Sequence, residues 1–260
     1  MPLSIALLGV FILACGGNES KESSPPREAN GRGEACIAFI DMSKSLPAEA
    51  FSREVESLKT IYMGLSEKTE SFMHIYPLHG NIGRGVPPIV NCRLLPNLYS
   101  GDFQKTAVYR QNRLAQWQQY EQKILNLRQE LMHAPGYPLA RTCIIDAFSY
   151  VERFFKTKAT ARKKYLIIVS DLLEDCPARG IDMDNNAEEF RRSIAKANHD
   201  GLIREANYLN AVEIKIFAPG GPNGILALPV GVGVTELEEF WRVVLVKFGA
   251  SEENISLEII

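Results

Sequence analysis

Two apolar runs constrain this chain more than anything else in it, because each stops abruptly on an acid. Residues 36–40 (CIAFI) and 165–169 (YLIIV) are almost uninterrupted hydrophobic stretches. A run with no polar alternate suits a strand covered on both faces, as in a parallel sheet held between helices. The first run ends at Asp41 and the second at Ser170-Asp171. These acids therefore fall at the carboxyl ends of buried strands, the edge where open α/β sheets bind their ligands.

The remaining segments alternate in the same sense. Apolar positions Phe51, Val55, Leu58, Ile61, Tyr62 and Leu65 recur at helical spacing over residues 47–65, with Pro47 and Glu49 suited to the first turn. Residues 72–78 read as a second strand. The Gly- and Pro-containing stretch 79–102 reads as loop, with an edge strand near 89–95. A long helix is expected over 103–132, where Trp117, Tyr120, Ile124, Leu127 and Leu131 repeat every three or four residues. After Pro135-Gly136, a helix opening at Thr142 presents Ile145, Phe148, Val151 and Phe155 on one face. Beyond the 165–169 strand come a helix over 188–209, a strand over 211–218, a helix over 236–248 and a last strand over 254–260. Strand and helix in alternation predict an α/β fold, with a doubly wound, mostly parallel central sheet flanked by helices.

The N-terminal region stands apart. Residues 5–14 form a short apolar run, too brief to span a bilayer, and it ends at Cys15. It reads as the core of an export signal, although residues 1–4 contain no Lys or Arg. Ile12, Leu13, Ala14 and Cys15 look like a bacterial lipobox, whose cysteine is acylated and becomes the mature N-terminus. Residues 16–34 are rich in Gly, Ser, Pro and charge and lack the apolar content for a core, so they read as a flexible tether. The expected organisation is a signal peptide over 1–15, a tether over 16–34 and one folded domain over 35–260. A lipid-anchored protein of the bacterial cell envelope follows, in the periplasm or at the outer membrane or cell surface. With 29 basic and 31 acidic side chains and a formal net charge of -2, the chain lacks the electrostatic footprint of a nucleic-acid binder.

Three places carry the candidate chemistry. They are Asp41, Ser43 and Ser45 after the first strand, Thr142 at the mouth of a later helix, and Asp171 after the strongest strand. All are hard oxygen donors, which suit Mg²⁺, Mn²⁺ or Ca²⁺. His74, His79, His133 and His199 have no ligand spacing, and no closely spaced Cys or His pair suggests zinc. Taken singly, Ser45 and Thr142 also suit helix N-caps and Asp41 a turn.

The DxSxS triplet, the Thr opening a later helix and the Asp ending a central strand resemble the metal-ion-dependent adhesion site of von Willebrand factor A domains. The resemblance runs over roughly residues 34–260, as order of elements rather than residue identity. It implies Ser43, Ser45 and Thr142 as direct ligands of a divalent cation, with Asp41 and Asp171 acting mainly through water. It also implies a protein or peptide partner whose acidic side chain completes the coordination. The chain departs from the family at Leu172, where a Gly often follows the third-loop acid, and in the length of the 103–132 helix. Glu239-Phe240-Trp241 and Phe248-Gly249-Ala250 resemble bacterial members.

Of the five cysteines, lipidation of Cys15 leaves Cys36, Cys92, Cys143 and Cys176, which allow three pairings. The family fold brings Cys143, beside Thr142, and Cys176, shortly after Asp171, toward the metal loops. A Cys143–Cys176 disulfide is expected on that ground, with Cys36–Cys92 as the remaining pair. Glu174, Asp175, Asp182 and Asp184 read as a solvated acidic loop.

A metal-assisted binding module is the functional expectation, without catalysis. One alternative is a metal-dependent phosphohydrolase with Asp41 as nucleophile, although Ser43 stands where such enzymes carry a second acid. Another is a scaffold or assembly protein with a relic metal site, docking partners through Trp117 and Ile124 of the long helix.

Overall fold

The computed structural model describes residues 33–43, 46–79, 86–99, 101–134, 143–176, 179–183, 185–198, 206–218, 220–221, 224–225 and 228–259. In chain order the elements are β1 (Glu34–Asp41), α1 (Ala48–Gly64), β2 (Ser71–Leu78), β3 (Val90–Leu94), α2 (Phe103–His133) and α3 (Ile144–Thr157). There follow β4 (Lys163–Val169), the two-residue strands β5 (Asp175–Cys176) and β6 (Ile181–Asp182), and α4 (Ala187–Asn198). The chain ends with β7 (Val212–Ala218), β8 (Gly220–Gly221), β9 (Gly224–Ile225), α5 (Val234–Lys247) and β10 (Ile255–Ile259).

Six strands form the main sheet in the order β10-β7-β4-β1-β2-β3. The neighbours from β10 to β2 run parallel, and β3 alone pairs antiparallel, with β2. The uninterrupted apolar strands β1 and β4 sit at the centre, as their composition requires. β3 alternates buried and exposed residues, which suits an edge strand.

Side chains alternate across β1, so its residues divide between two cores. Cys36, Ala38 and Ile40 join Phe51, Val55, Leu58 and Tyr62 of α1 and Trp117, Tyr120 and Ile124 of α2. Ala35, Ile37 and Phe39 join α3, Phe190 of α4 and Leu237, Phe240, Trp241 and Val244 of α5. The result is three layers, helix on sheet on helix. α2 packs its aromatic stripe on α1, with the Tyr62 and Trp117 rings 5.2 Å apart.

The helix expected over 188–209 is shorter. α4 is described as far as Asn198, and residues 206–211 are not helical. The backbone there answers to a distant partner: the Ala206 amide donates to the Lys247 carbonyl at 3.1 Å and the Leu209 amide to that of Phe248 at 3.3 Å. Gly249 makes this approach feasible, because its φ is +92° and a β-carbon would lie 2.6 Å from Asn207 Cα.

Candidate functional site

From β1 the chain proceeds outward to β2 and β3, then returns to the other side of β1 to lay down β4, β7 and β10. The winding direction changes between β1 and β4, the place where open α/β sheets bind their ligands at the strands' carboxyl ends. Ile40 pairs with Val169, so the next step along each strand brings Asp41 and Ser170 side by side.

Asp41 is fully buried and its carboxylate is held from two loops. Oδ1 accepts the Ser43 amide at 2.7 Å, and Oδ2 accepts the Ser170 hydroxyl at 3.0 Å. Burial pushes the Asp41 carboxyl upward, while the Ser43 and Ser170 donors and the charge of Arg128 pull it down. Ser43 is buried as well. Local turn chemistry thus fixes the first loop around an acid that faces inward.

On the second loop, Asp171 Oδ1 accepts the Leu173 amide at 3.1 Å, and the Ser170 hydroxyl also accepts the Leu172 amide at 3.1 Å. Leu172 has a φ of 66°, the left-handed conformation that glycine adopts without strain. Its side chain is fully buried, and its carbonyl accepts the Trp241 indole N–H at 2.9 Å. Packing and that hydrogen bond hold a backbone geometry that costs about 1–2 kcal/mol.

Glu54, which sequence reasoning missed, lies within electrostatic reach of Asp41 and Asp171. It projects from α1, is fully buried, and neither carboxylate oxygen has a hydrogen-bond partner. Burial drives its carboxyl well above the usual carboxylate range; Asp41 and Asp171 add to the rise and Arg128 opposes it. Arg128 comes from α2, donates to the Leu46 carbonyl and stacks over the Phe51 ring with its guanidinium carbon 4.0 Å from the centroid. Desolvation lowers its pKa, and Glu54 and Asp41 work against that.

Behind the second loop, Glu174 is buried rather than solvated, which corrects its reading as part of an exposed acidic loop. Its carboxylate accepts the Ile144 amide at 2.7 Å and the Ile145 amide at 3.3 Å, capping α3 in place of Cys143, whose side chain makes no cap. Burial pushes Glu174 up to about 8, against the pull of those two amides. Cys143 and Cys176 form a disulfide beside this cap, with Cα atoms 4.9 Å apart, and Arg179 pairs with Asp146 at 2.6 Å.

Cys36 and Cys92 are not joined, contrary to the pairing expected from their number; both are buried thiols. Cys36 lies opposite Met73 on β2, and Met73 opposite Cys92 on β3. Two strand spacings of about 4.8 Å separate their backbones, beyond the roughly 7 Å that a disulfide spans.

Ser45, Thr142 and Cys15 lie outside the described residues, as do Asp184 and the whole 1–32 segment. Among the described residues, one group of three His, Cys, Asp or Glu donor atoms falls within 4.8 Å, that of Cys143, Glu174 and Cys176. Both its sulfurs are bonded to each other and its carboxylate holds α3. Asp41, Glu54 and Asp171 stand farther apart, so hydroxyls and water, rather than three carboxylates, would fill an inner coordination shell between them. An orphaned buried carboxylate within electrostatic reach of two other acids fits a divalent cation chemically. No described helix is long and apolar enough to cross a membrane.

No family model and no curated protein sequence matches the chain. Among solved structures, proximal thread matrix protein 1 from the mussel byssus is similar at 13% identity and a TM-score of 0.41, over 87% of this chain and 44% of that one. The manganese-loaded TRAP protein of Plasmodium vivax is similar at 12% identity and a TM-score of 0.36, over 88% of this chain and 69% of that one. The pilus adhesin SpaC from Lactobacillus rhamnosus GG, in its open conformation, is similar at 10% identity and a TM-score of 0.38, over 87% of this chain and 28% of that one. This chain thus spans less than half of the mussel protein and under a third of the adhesin. The likenesses are loose, and the strand order itself defines the fold.

Proposed function

We propose that this chain is a lipid-anchored binding module of the bacterial cell envelope, of the von Willebrand factor A type, that grips a protein or peptide partner through a divalent cation. Mg²⁺ is the expected ion, with Mn²⁺ or Ca²⁺ as substitutes. Ser43, Ser45 and Thr142 would supply its hydroxyl ligands, and Asp41 and Asp171 would orient them and the surrounding water. The observation that carries this reading is the Asp41–Ser170 hydrogen bond, which joins two acid-bearing loops at the switch between β1 and β4. A cation held by neutral hydroxyls keeps much of its charge, which an acidic side chain of a partner can meet. Cys15 would carry the lipid, and residues 16–34 would let the domain stand away from the membrane.

Calorimetric titration with MgCl₂ and MnCl₂ tests the cation. Saturable binding, lost in Asp41→Ala, is expected; no heat and no shift in melting temperature with either ion overturns the reading. Membrane fractionation tests the anchor, since Cys15→Ser should move the protein into the soluble exported fraction.

A further inference from the structure

We infer that Glu54 is the acid that balances the cation's charge from outside its inner shell, setting how tightly the site holds the cation before any partner arrives. The inference rests on the cation reading above and assigns it a residue that neither the DxSxS triplet nor the Thr and Asp loops contain. Three observations carry it. Glu54 is wholly buried, so its charge is not dispersed by solvent. Both its oxygens lack hydrogen-bond partners, which a carboxylate retained in a core does not tolerate without a compensating positive charge. The groups whose charges act on it are Asp41, Asp171 and Arg128, the first two being the acids of the site itself.

The local charge then balances. Without a cation, burial and the two neighbouring acids favour the protonated form of Glu54; once a cation is bound and all three acids are ionised, Asp41, Glu54 and Asp171 against the Arg128 guanidinium carry a formal charge of -2, which one divalent cation cancels. Arg128 does not take over that role by direct pairing, because neither Glu54 oxygen accepts a hydrogen bond from it, and the guanidinium instead meets the Leu46 carbonyl and the Phe51 ring. The carboxylates do not converge closely enough to share an inner shell. Glu54 therefore acts across water, leaving the cation's inner positions to other ligands, a partner's carboxylate among them. As an outer group it is a positioning residue for the cation, and its removal should weaken binding roughly 10-fold or more.

The test compares full-length wild type, Glu54→Gln, Glu54→Asp and Glu54→Leu by calorimetry with MnCl₂ and MgCl₂ alone, alongside melting curves in chelator. Glu54→Gln and Glu54→Leu should melt in chelator at or above the wild-type temperature, because a buried uncompensated acid has been removed. Their Mn²⁺ affinity should fall about 10-fold or more, while Glu54→Asp, which keeps the charge, stays within a few-fold of wild type. If wild type binds Mn²⁺ and Glu54→Gln binds it equally well, the role of Glu54 is overturned and the cation reading stands. If wild type binds neither ion, both fall.

Discussion

The Ser170 hydroxyl donates to Asp41 Oδ2 at 3.0 Å, across 129 positions of chain. The Ser170 hydroxyl oxygen in turn accepts the Leu172 amide at 3.1 Å. One buried hydroxyl therefore ties the end of β1 to the turn after β4.

Ser170→Ala should leave the Asp41 carboxylate short of a donor and the Leu172 amide short of an acceptor. The expected loss is about 1–3 kcal/mol of stability. It would be read by chemical denaturation. Mn²⁺ affinity should fall in the same variant, because the two loops lose their link. A Ser170→Ala protein equal to wild type in both measurements would remove the hydroxyl from the account of the site.

Leu172 separates backbone strain from side-chain packing. Leu172→Ala and Leu172→Gly both lose a buried side chain, so each should be destabilised by roughly 2–5 kcal/mol. Glycine alone relieves the φ of 66°. The glycine variant should then be more stable than the alanine variant by about 1 kcal/mol, the reverse of the usual order in regular structure. Equal midpoints in urea would argue against a strained turn.

Reduction of Cys143–Cys176, or its replacement by Ser at both positions, should cost about 4 kcal/mol, as expected for a closed loop with a sequence separation of 33. Peptide mapping without reductant should recover these two cysteines linked. Cys36 and Cys92 should react with an alkylating agent only after denaturation, since both are buried and burial pushes the Cys36 thiol upward. A Cys36–Cys92 linked peptide would contradict the strand register.

Glu174 gives a pH dependence with a definite sign. Its carboxyl is raised from an ordinary value near 4.5 to about 8 by burial, so the folded state holds its proton more tightly than the unfolded chain does. The associated stability is complete below about pH 4.5 and is lost as pH rises through about 8. In chelator, wild type should lose melting temperature across that window, and Glu174→Gln should flatten the slope. An unchanged slope in the Gln variant would assign the effect to other groups.

Much of the architecture was legible because it follows from local pattern. The runs at 36–40 and 165–169 had to be central strands, and Asp41 and Asp171 had to stand at their ends; the sheet places them there. The features that escaped depend on distant contacts. That the helix stops short of 209 could not be read from residues 188–209, because the non-helical course of 206–211 is fixed by carbonyls at the end of α5. Counting cysteines suggested a Cys36–Cys92 pair, but counting is blind to Met73 lying between them. Glu54 did leave a signal: it sits three residues after Phe51 and four before Leu58, a charge on the apolar stripe of α1. Glu174 left none, since an acid in a charged loop looks the same whether it faces solvent or caps a helix 30 residues back.

The Cys143–Cys176 bond makes a covalent ring of everything between those residues, and that ring contains the whole of α3 and β4. A protease that nicks the backbone at the surface turn joining them releases no fragment under oxidising conditions. The break would pass unseen by size until a reductant opened the ring. In an oxidising compartment the central strand of the sheet is thus insured against a single backbone cut.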